Sequence, residues 1–270
     1  MRKWLLVIMI AITTTLVACN DNTETDEATE KQKIRVASVE TPMTDVVEIA
    51  KEILAEEGIE VELVQMGDYI QPNEALANGE VDANFSQHVP FMEEFNRNKG
   101  ADLVGVQPVY YPNYGIYSRE YDSIENLPDG ATIGVANDSS NLDRSLRLLA
   151  ENGLIELKEI GDEEEYTIAD VIEDSHNFVF KEVEIAALSR LYEDVDIAVM
   201  SPAHARHIDL TPEDDAIIAE NNVEKYAVSL ITRKENADSE FIQKLAEAMT
   251  SAEVRDFLNS YGGGSATPAF

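Results

Sequence analysis

The feature that most constrains this chain is an alternation. Short apolar runs rich in β-branched residues take turns with longer runs whose apolar residues recur at helical spacing. "KIRVASV" (residues 33–39) reads as a strand through Ile34, Val36 and Val39. In the following "ETPMTDVVEIAKEILAEEG", Val46, Val47, Ile49, Ala50, Ile53 and Leu54 share one helical face, and Gly58 stops the run. Strand "IEVELVQM", a short helix in "QPNEALANGE", strand "VDANF", helix "VPFMEEFNRNKG" and strand "ADLVGVQPV" complete a first block. Links this short in a β–α–β–α–β–α–β order predict an α/β fold with a mainly parallel sheet flanked by helices.

The order breaks in "NYGIYSREYDSIENLPDG", where residues 116–118 look extended and "LPDG" reads as a turn. A second alternation follows: strand "ATIGVA", helix "NLDRSLRLLAENG", an acidic loop "GDEEEY", strand "NFVFKEV", a helix through "IAALSRL", strand "VDIAVM" and a helix from "PAHARH". "YAVSLITRK" is one more buried strand, and two helices finish the chain. The chain is expected to cross between blocks near residues 117–121 and to return near 223–228. Lobe 1 is then residues 33–117 plus 227–270, and lobe 2 is residues 118–226. Open sheets of this kind place ligands at the carboxyl ends of their strands, where helix N-termini point N–H groups inwards.

The first residues bear on the compartment. Arg2 and Lys3, an apolar stretch from Trp4 to Ala11, and "LVAC" ending at Cys19 form a signal peptide over residues 1–18; the apolar run is too short for a spanning helix. The chain's single cysteine lies at the processing point, which resembles the lipobox of bacterial lipoproteins, so Cys19 is the expected lipid (palmitate) anchor. No thiol is then left for disulfides, metal thiolates or a catalytic Cys. Residues 19–32 are polar and acidic and are expected to be a flexible tether. The net charge of −33 excludes nucleic acid as a partner and describes the environment better than the ligand.

Three stretches could carry chemistry. Phe85, Ser86, Gln87 and His88 fall at the end of strand "VDANF", where an aromatic ring, an amide and an imidazole could grip a small polar molecule; Phe85 as core and His88 as a helix cap is the competing reading. Tyr69 ends strand "VELVQM" in the same way and could equally be a half-buried ring. In "ANDSSNLDRSLRLL", Asp138, Ser139, Ser140 and Asn141 are cap types. With Ser140 as the cap, Arg144 would lie near the positive end of the helix dipole, where a cation has little structural reason to be. It could meet a carboxylate in bidentate fashion or pair with a nearby acid. No phosphate loop, G-x-S-x-G elbow or H-E-x-x-H motif occurs, so no catalytic residue and no cofactor is expected. The histidines are His88, His176, His204 and His207. His204 and His207 share an i,i+3 face, too weak a sign to expect a metal.

"DYIQPNEALANGEVDANFSQHVPFMEEF", "LPDGATIGVANDSSNLDRSLRLLAENGLI" and the closing "TPAF" resemble, in the same order, the methionine-binding lipoproteins of bacterial ABC importers, the NlpA lipoprotein family. The likeness runs from about Lys33 to Phe270. It implies the two-lobed periplasmic-binding-protein type 2 fold with two chain crossings. It implies a protein on the cell membrane, lipid-anchored and facing outside the cytoplasm, that closes on a small amino acid and delivers it to a permease and its ATPase. Methionine is the ligand it puts first, with another amino acid, a dipeptide or a metal ion as alternatives. Carried over by position, the ligand-site residues are Tyr69, Phe85, His88, Asn141, Arg144, Tyr114 and Ser201, with Arg144 taking the ligand carboxylate. The chain departs from the family at Ser86, at Met43 where the family often has His, and at Ser201 and Ala203 where it carries two asparagines; His204 could compensate.

Overall fold

The computed structural model describes residues 33–161, 164–174 and 176–270; the expected signal peptide, Cys19 and the tether lie outside them. Along the chain the elements begin β1 (Lys33–Ser38), α1 (Met43–Glu56), β2 (Glu60–Gln65), α2 (Gln71–Ala77), β3 (Ala83–His88), α3 (Val89–Lys99) and β4 (Leu103–Tyr111). They continue through β5 (Gly115–Tyr117), β6 (Thr132–Ala136), α4 (Ser139–Glu151), β7 (Ile155–Leu157), β8 (Val171–Asp174), β9 (Val179–Val183) and α5 (Leu188–Leu191). After these come β10 (Ile197–Met200), α6 (Pro202–Arg206), α7 (Pro212–Asp215), β11 (Ile218–Ala219), β12 (Val228–Arg233), α8 (Glu240–Met249), α9 (Ala252–Tyr261) and β13 (Thr267–Pro268).

Two sheets hold most of these strands, in the orders β13-β4-β12-β3-β1-β2 and β11-β5-β10-β6-β9. They follow one plan. Three parallel strands (β2-β1-β3 and β9-β6-β10) are extended by an antiparallel strand, β12 in the first sheet and β5 in the second. Each inserted strand is the one the chain forms just after crossing from the other sheet. The first crossing therefore lies at residues 112–114, and β5 belongs to the second sheet; the sequence boundary at 117 put it in the first. Three residues of strand are too few to show a period, which is why "GIY" could be read with either block. Asn113 and Asn222 tie the two crossings together: Asn222 N donates to Asn113 Oδ1 at 2.8 Å, and Asn113 Nδ2 to Asn222 Oδ1 at 3.3 Å.

Alternation along the strands supplies a core to each face. In the first sheet Val36 and Phe85 join the cluster under α1, α8 and α9, while Ala37 and Ile231 face α2 and α3. In the second sheet Ile133, Ile197 and Val199 pack with α4, and Ala198 and Met200 pack with α5 and α6. The helices begin and end for local reasons. Asp138 caps α4 by accepting from Asn141 N, His88 caps α3 by accepting from Phe91 N, and Gly100 closes α3 in the left-handed region at φ 67°. The cap of α4 is thus Asp138 and not Ser140, so Arg144 stands more than a full turn into the helix, beyond the reach of its dipole.

Candidate functional site

The strand ends of the two sheets face each other across a cavity of about 70 Å³. The first sheet contributes Ser86, Gln87 and His88 at the end of β3, with Tyr69 from the loop after β2 and Pro42 and Met43 at the start of α1. The second contributes Asn141 and Arg144 from α4, and Ser201, Ala203 and His204 at the start of α6. Pro112 and Tyr114 of the first crossing and Tyr261 and Ser265 near the C-terminus close the wall.

Arg144 sets the chemistry of one end. Its side chain is 2% exposed. Nε donates to Glu220 Oε1 at 2.9 Å, and Nη2 donates to Glu220 Oε2 and, at 2.7 Å, to the Pro112 carbonyl. The guanidinium carbon lies 3.7 Å from the centre of the Tyr114 ring and 4.5 Å from that of Tyr226. Burial works against its charge, but Glu220 outweighs burial and holds the group firmly protonated. Nη1 is buried and has no hydrogen-bond partner among the described residues. A buried charged donor without an acceptor is costly, so this nitrogen marks where the site is incomplete.

Beside it, one amide oxygen joins the two sheets. Asn141 Oδ1 accepts from Tyr114 OH at 2.7 Å and lies 3.1 Å from His88 Nε2. Because His88 Nδ1 accepts from Phe91 N at 3.3 Å, the ring proton belongs on Nε2 and is donated to Asn141. Burial, helped by the positive Arg144, pushes the His88 imidazole down to about 3, so it is neutral at ordinary pH. Asn141 Nδ2 donates in turn to the cap residue Asp138 at 2.8 Å. Gln87 walls the cavity while its amide turns to Asn73, pairing through both polar atoms.

The other end is built from tyrosine, histidine and one acid. Tyr69 OH donates to Glu40 Oε1, and Glu40 Oε2 lies 2.7 Å from His207 Nε2 on the opposite lobe. His204 stacks obliquely on Tyr69 with ring centres 5.9 Å apart, and its Nδ1 lies 2.6 Å from Ser201 Oγ. Burial lowers the His204 imidazole to about 4, against the pull of Glu40.

Of the residues singled out in the sequence, Tyr69, His88, Tyr114, Asn141, Arg144 and Ser201 line this cavity, as do Ser86, Met43, Ala203 and His204. Phe85 does not. It is fully buried in the core of the first lobe, within β3 and turned opposite to Ser86, while the cavity takes the last three residues of the strand. Its ring packs edge-on against Tyr110, and Tyr110 is the aromatic that reaches the cavity. Glu220, Glu40 and Tyr226 were not singled out; Glu220 pairs with Arg144 across 76 positions of sequence, in a chain where acids are too common to mark one. No group of three His, Cys, Asp or Glu is arranged to hold a metal ion among the described residues.

Two lobes of this strand order, joined by two adjacent crossings and enclosing a polar, aromatic-lined cavity, define a type 2 periplasmic-binding fold. The chain belongs to the NlpA lipoprotein family, whose model matches residues 34–270. It is 34% identical over 262 residues to the membrane lipoprotein TpN32 of Treponema pallidum, covering 97% of this chain and 95% of that protein. It is 36% identical over 255 residues to the D-methionine-binding lipoprotein MetQ of Escherichia coli, covering 93% and 92%. Among solved structures, a nutrient-binding protein from Burkholderia cenocepacia bound to methionine matches with a TM-score of 0.84 at 33% identity, over 88% of this chain and all of that one.

Proposed function

We propose that this protein is the substrate-binding lipoprotein of an ABC importer and that it captures methionine between its lobes. Binding is its whole task, and no bond is made or broken. The observation that carries the reading is Arg144 Nη1, a buried cationic donor without a partner on a residue that lines the cavity. A ligand carboxylate would complete it. Tyr114, Asn141 and the neutral His88 surround the same end and suit a zwitterion. Tyr69, Tyr110, Met43 and Pro42 offer aromatic and apolar surface for a thioether, a contact worth about 0.3–1.5 kcal/mol per sulfur–aromatic pair. The methionine-binding relatives support the choice of ligand. Ser201 and Ala203 replace the family's two asparagines, and the Ser201–His204 pair supplies polar atoms at that place.

The function requires both lobes. A ligand touching only one would have no reason to close them; a ligand bridging Arg144 and the Tyr69 loop makes the closed form the stable one. Cys19, outside the described residues, is the proposed lipid anchor, holding the protein on the outer side of the cell membrane beside its permease and ATPase.

Native mass spectrometry of the purified protein, followed by calorimetry with L- and D-methionine, tests the reading. A retained mass of methionine, or saturable binding of either isomer, is expected; a protein that binds neither, while a thermal-shift screen finds a different amino acid, overturns the choice of ligand. Arg144→Lys keeps a cation beside Glu220 but removes the planar fork, and is expected to weaken binding about tenfold or more, roughly 1.4 kcal/mol.

A further inference from the structure

We infer that Glu40 is a positioning residue which sets the cavity wall and the closure of the lobes with one carboxylate. The inference rests on the cleft-binding reading above. Glu40 follows β1 on the first lobe and is largely shielded, with a side chain 20% exposed. Its Oε1 accepts the Tyr69 hydroxyl from the loop after β2, and its Oε2 meets His207 Nε2, from the end of α6 on the second lobe, at 2.7 Å. Tyr69 lines the cavity, whereas Glu40 and His207 do not. The carboxylate therefore acts on a ligand through Tyr69 and through the opposite lobe, without touching it.

The surroundings leave Glu40 few other tasks. His204, the nearest other imidazole, is neutral and bonded to Ser201, and its ring lies obliquely against Tyr69 and edge-on against His207. Arg206, next to His207 on α6, is spent on the Tyr261 carbonyl at 2.5 Å and Ser265 Oγ at 3.1 Å. Those contacts also join the lobes, but they involve neither Glu40 nor Tyr69. Glu40 holds a cavity residue, Tyr69, and a residue of the other lobe, His207, with the two oxygens of one carboxylate. When the lobes part, the bond to His207 is lost. Tyr69 then keeps its partner but loses its fixed position relative to α6. The tie adds to the closed form alone, so it belongs in the rate at which a captured ligand escapes and not in the rate of first encounter.

Stopped-flow kinetics on the mature chain, with L-methionine as the probe, tests this. Glu40→Gln and His207→Asn are each expected to raise the dissociation rate about threefold to fivefold, the size of a partly exposed charged contact, with the association rate within about twofold of the parent. The double variant should lose no more than either single one, because both remove the same bond. His207→Lys, which puts an N–H donor back opposite the carboxylate, should return the dissociation rate towards the parent value. Ligand-free melting temperatures should be unchanged, which a merely structural role would not predict. Unchanged dissociation in His207→Asn, or additive effects in the double variant, overturns the inference. If the parent does not bind L-methionine, the choice of ligand fails on its own. The tie is then read by hydrogen–deuterium exchange with the amino acid that a thermal-shift screen finds held in the cleft: faster exchange at residues 40–43 and α6 in His207→Asn supports it, and identical exchange overturns it.

Discussion

A single arginine concentrates the physics of this protein. Arg144 is buried with Glu220 against two tyrosine rings, an arrangement that satisfies two of its three nitrogens and leaves the third without a partner. Removing one partner of such a pair strands the other charge, at about 3–5 kcal/mol, so truncation to Ala would confuse folding with binding. The two buried imidazoles behave differently. His88 and His204 are held near 3 and 4, below the ordinary histidine value, so between about pH 4 and 6.5 the unfolded chain takes up protons that the folded one refuses. Stability from these groups is complete above that window and is lost as the pH falls through it, by roughly 2 kcal/mol for each at pH 4.5. Urea titrations at pH 7 and 4.5 check this, and His204→Asn should lose less on acidification than the parent. Residue chemistry was partly legible: "NLDR" offered Arg144 as a carboxylate partner, but the dipole argument for it rested on the wrong cap, and its acid partner, 76 positions away, had no local signal.

At the scale of elements, α4 does two things with one cap. Asp138 accepts from Asn141 N at 2.9 Å and from Asn141 Nδ2 at 2.8 Å, so the side chain that starts the helix also aims the amide that meets His88 and Tyr114. Asp138→Ala is expected to cost about 1 kcal/mol of stability and to weaken ligand binding as well, whereas Asp138→Ser should recover most of the stability. Thermal unfolding and calorimetry on the two variants separate these effects. Long periodic elements such as α1, α4, α8 and the strands before them were legible because burial imposes a period. The two-residue strands β11 and β13, and the hairpin β7–β8, carry too few residues to show one, and Phe85 was misplaced because a strand's period does not say which of its faces meets the cavity.

The whole molecule is two sheets of one plan, hinged where Asn113 and Asn222 hold the crossings side by side. Contacts between the lobes include His88 to Asn141, Glu40 to His207, Arg97 to Glu165, the Ser139 and Ser140 amides to Glu94, and Arg206 to the C-terminal segment. Polar contacts of this kind suit reversible closure, and small-angle scattering should show a smaller radius of gyration on adding ligand. The crossings were legible as breaks in alternation; their pairing was not, because it is made by two residues 109 positions apart. The central claim is that Arg144 completes its hydrogen bonding with the carboxylate of the captured amino acid. Calorimetry comparing methionine with methioninol, which keeps the amine and thioether but lacks the carboxylate, tests it without altering the protein. The account predicts a loss of about a hundredfold or more in affinity; equal binding of the two would contradict it.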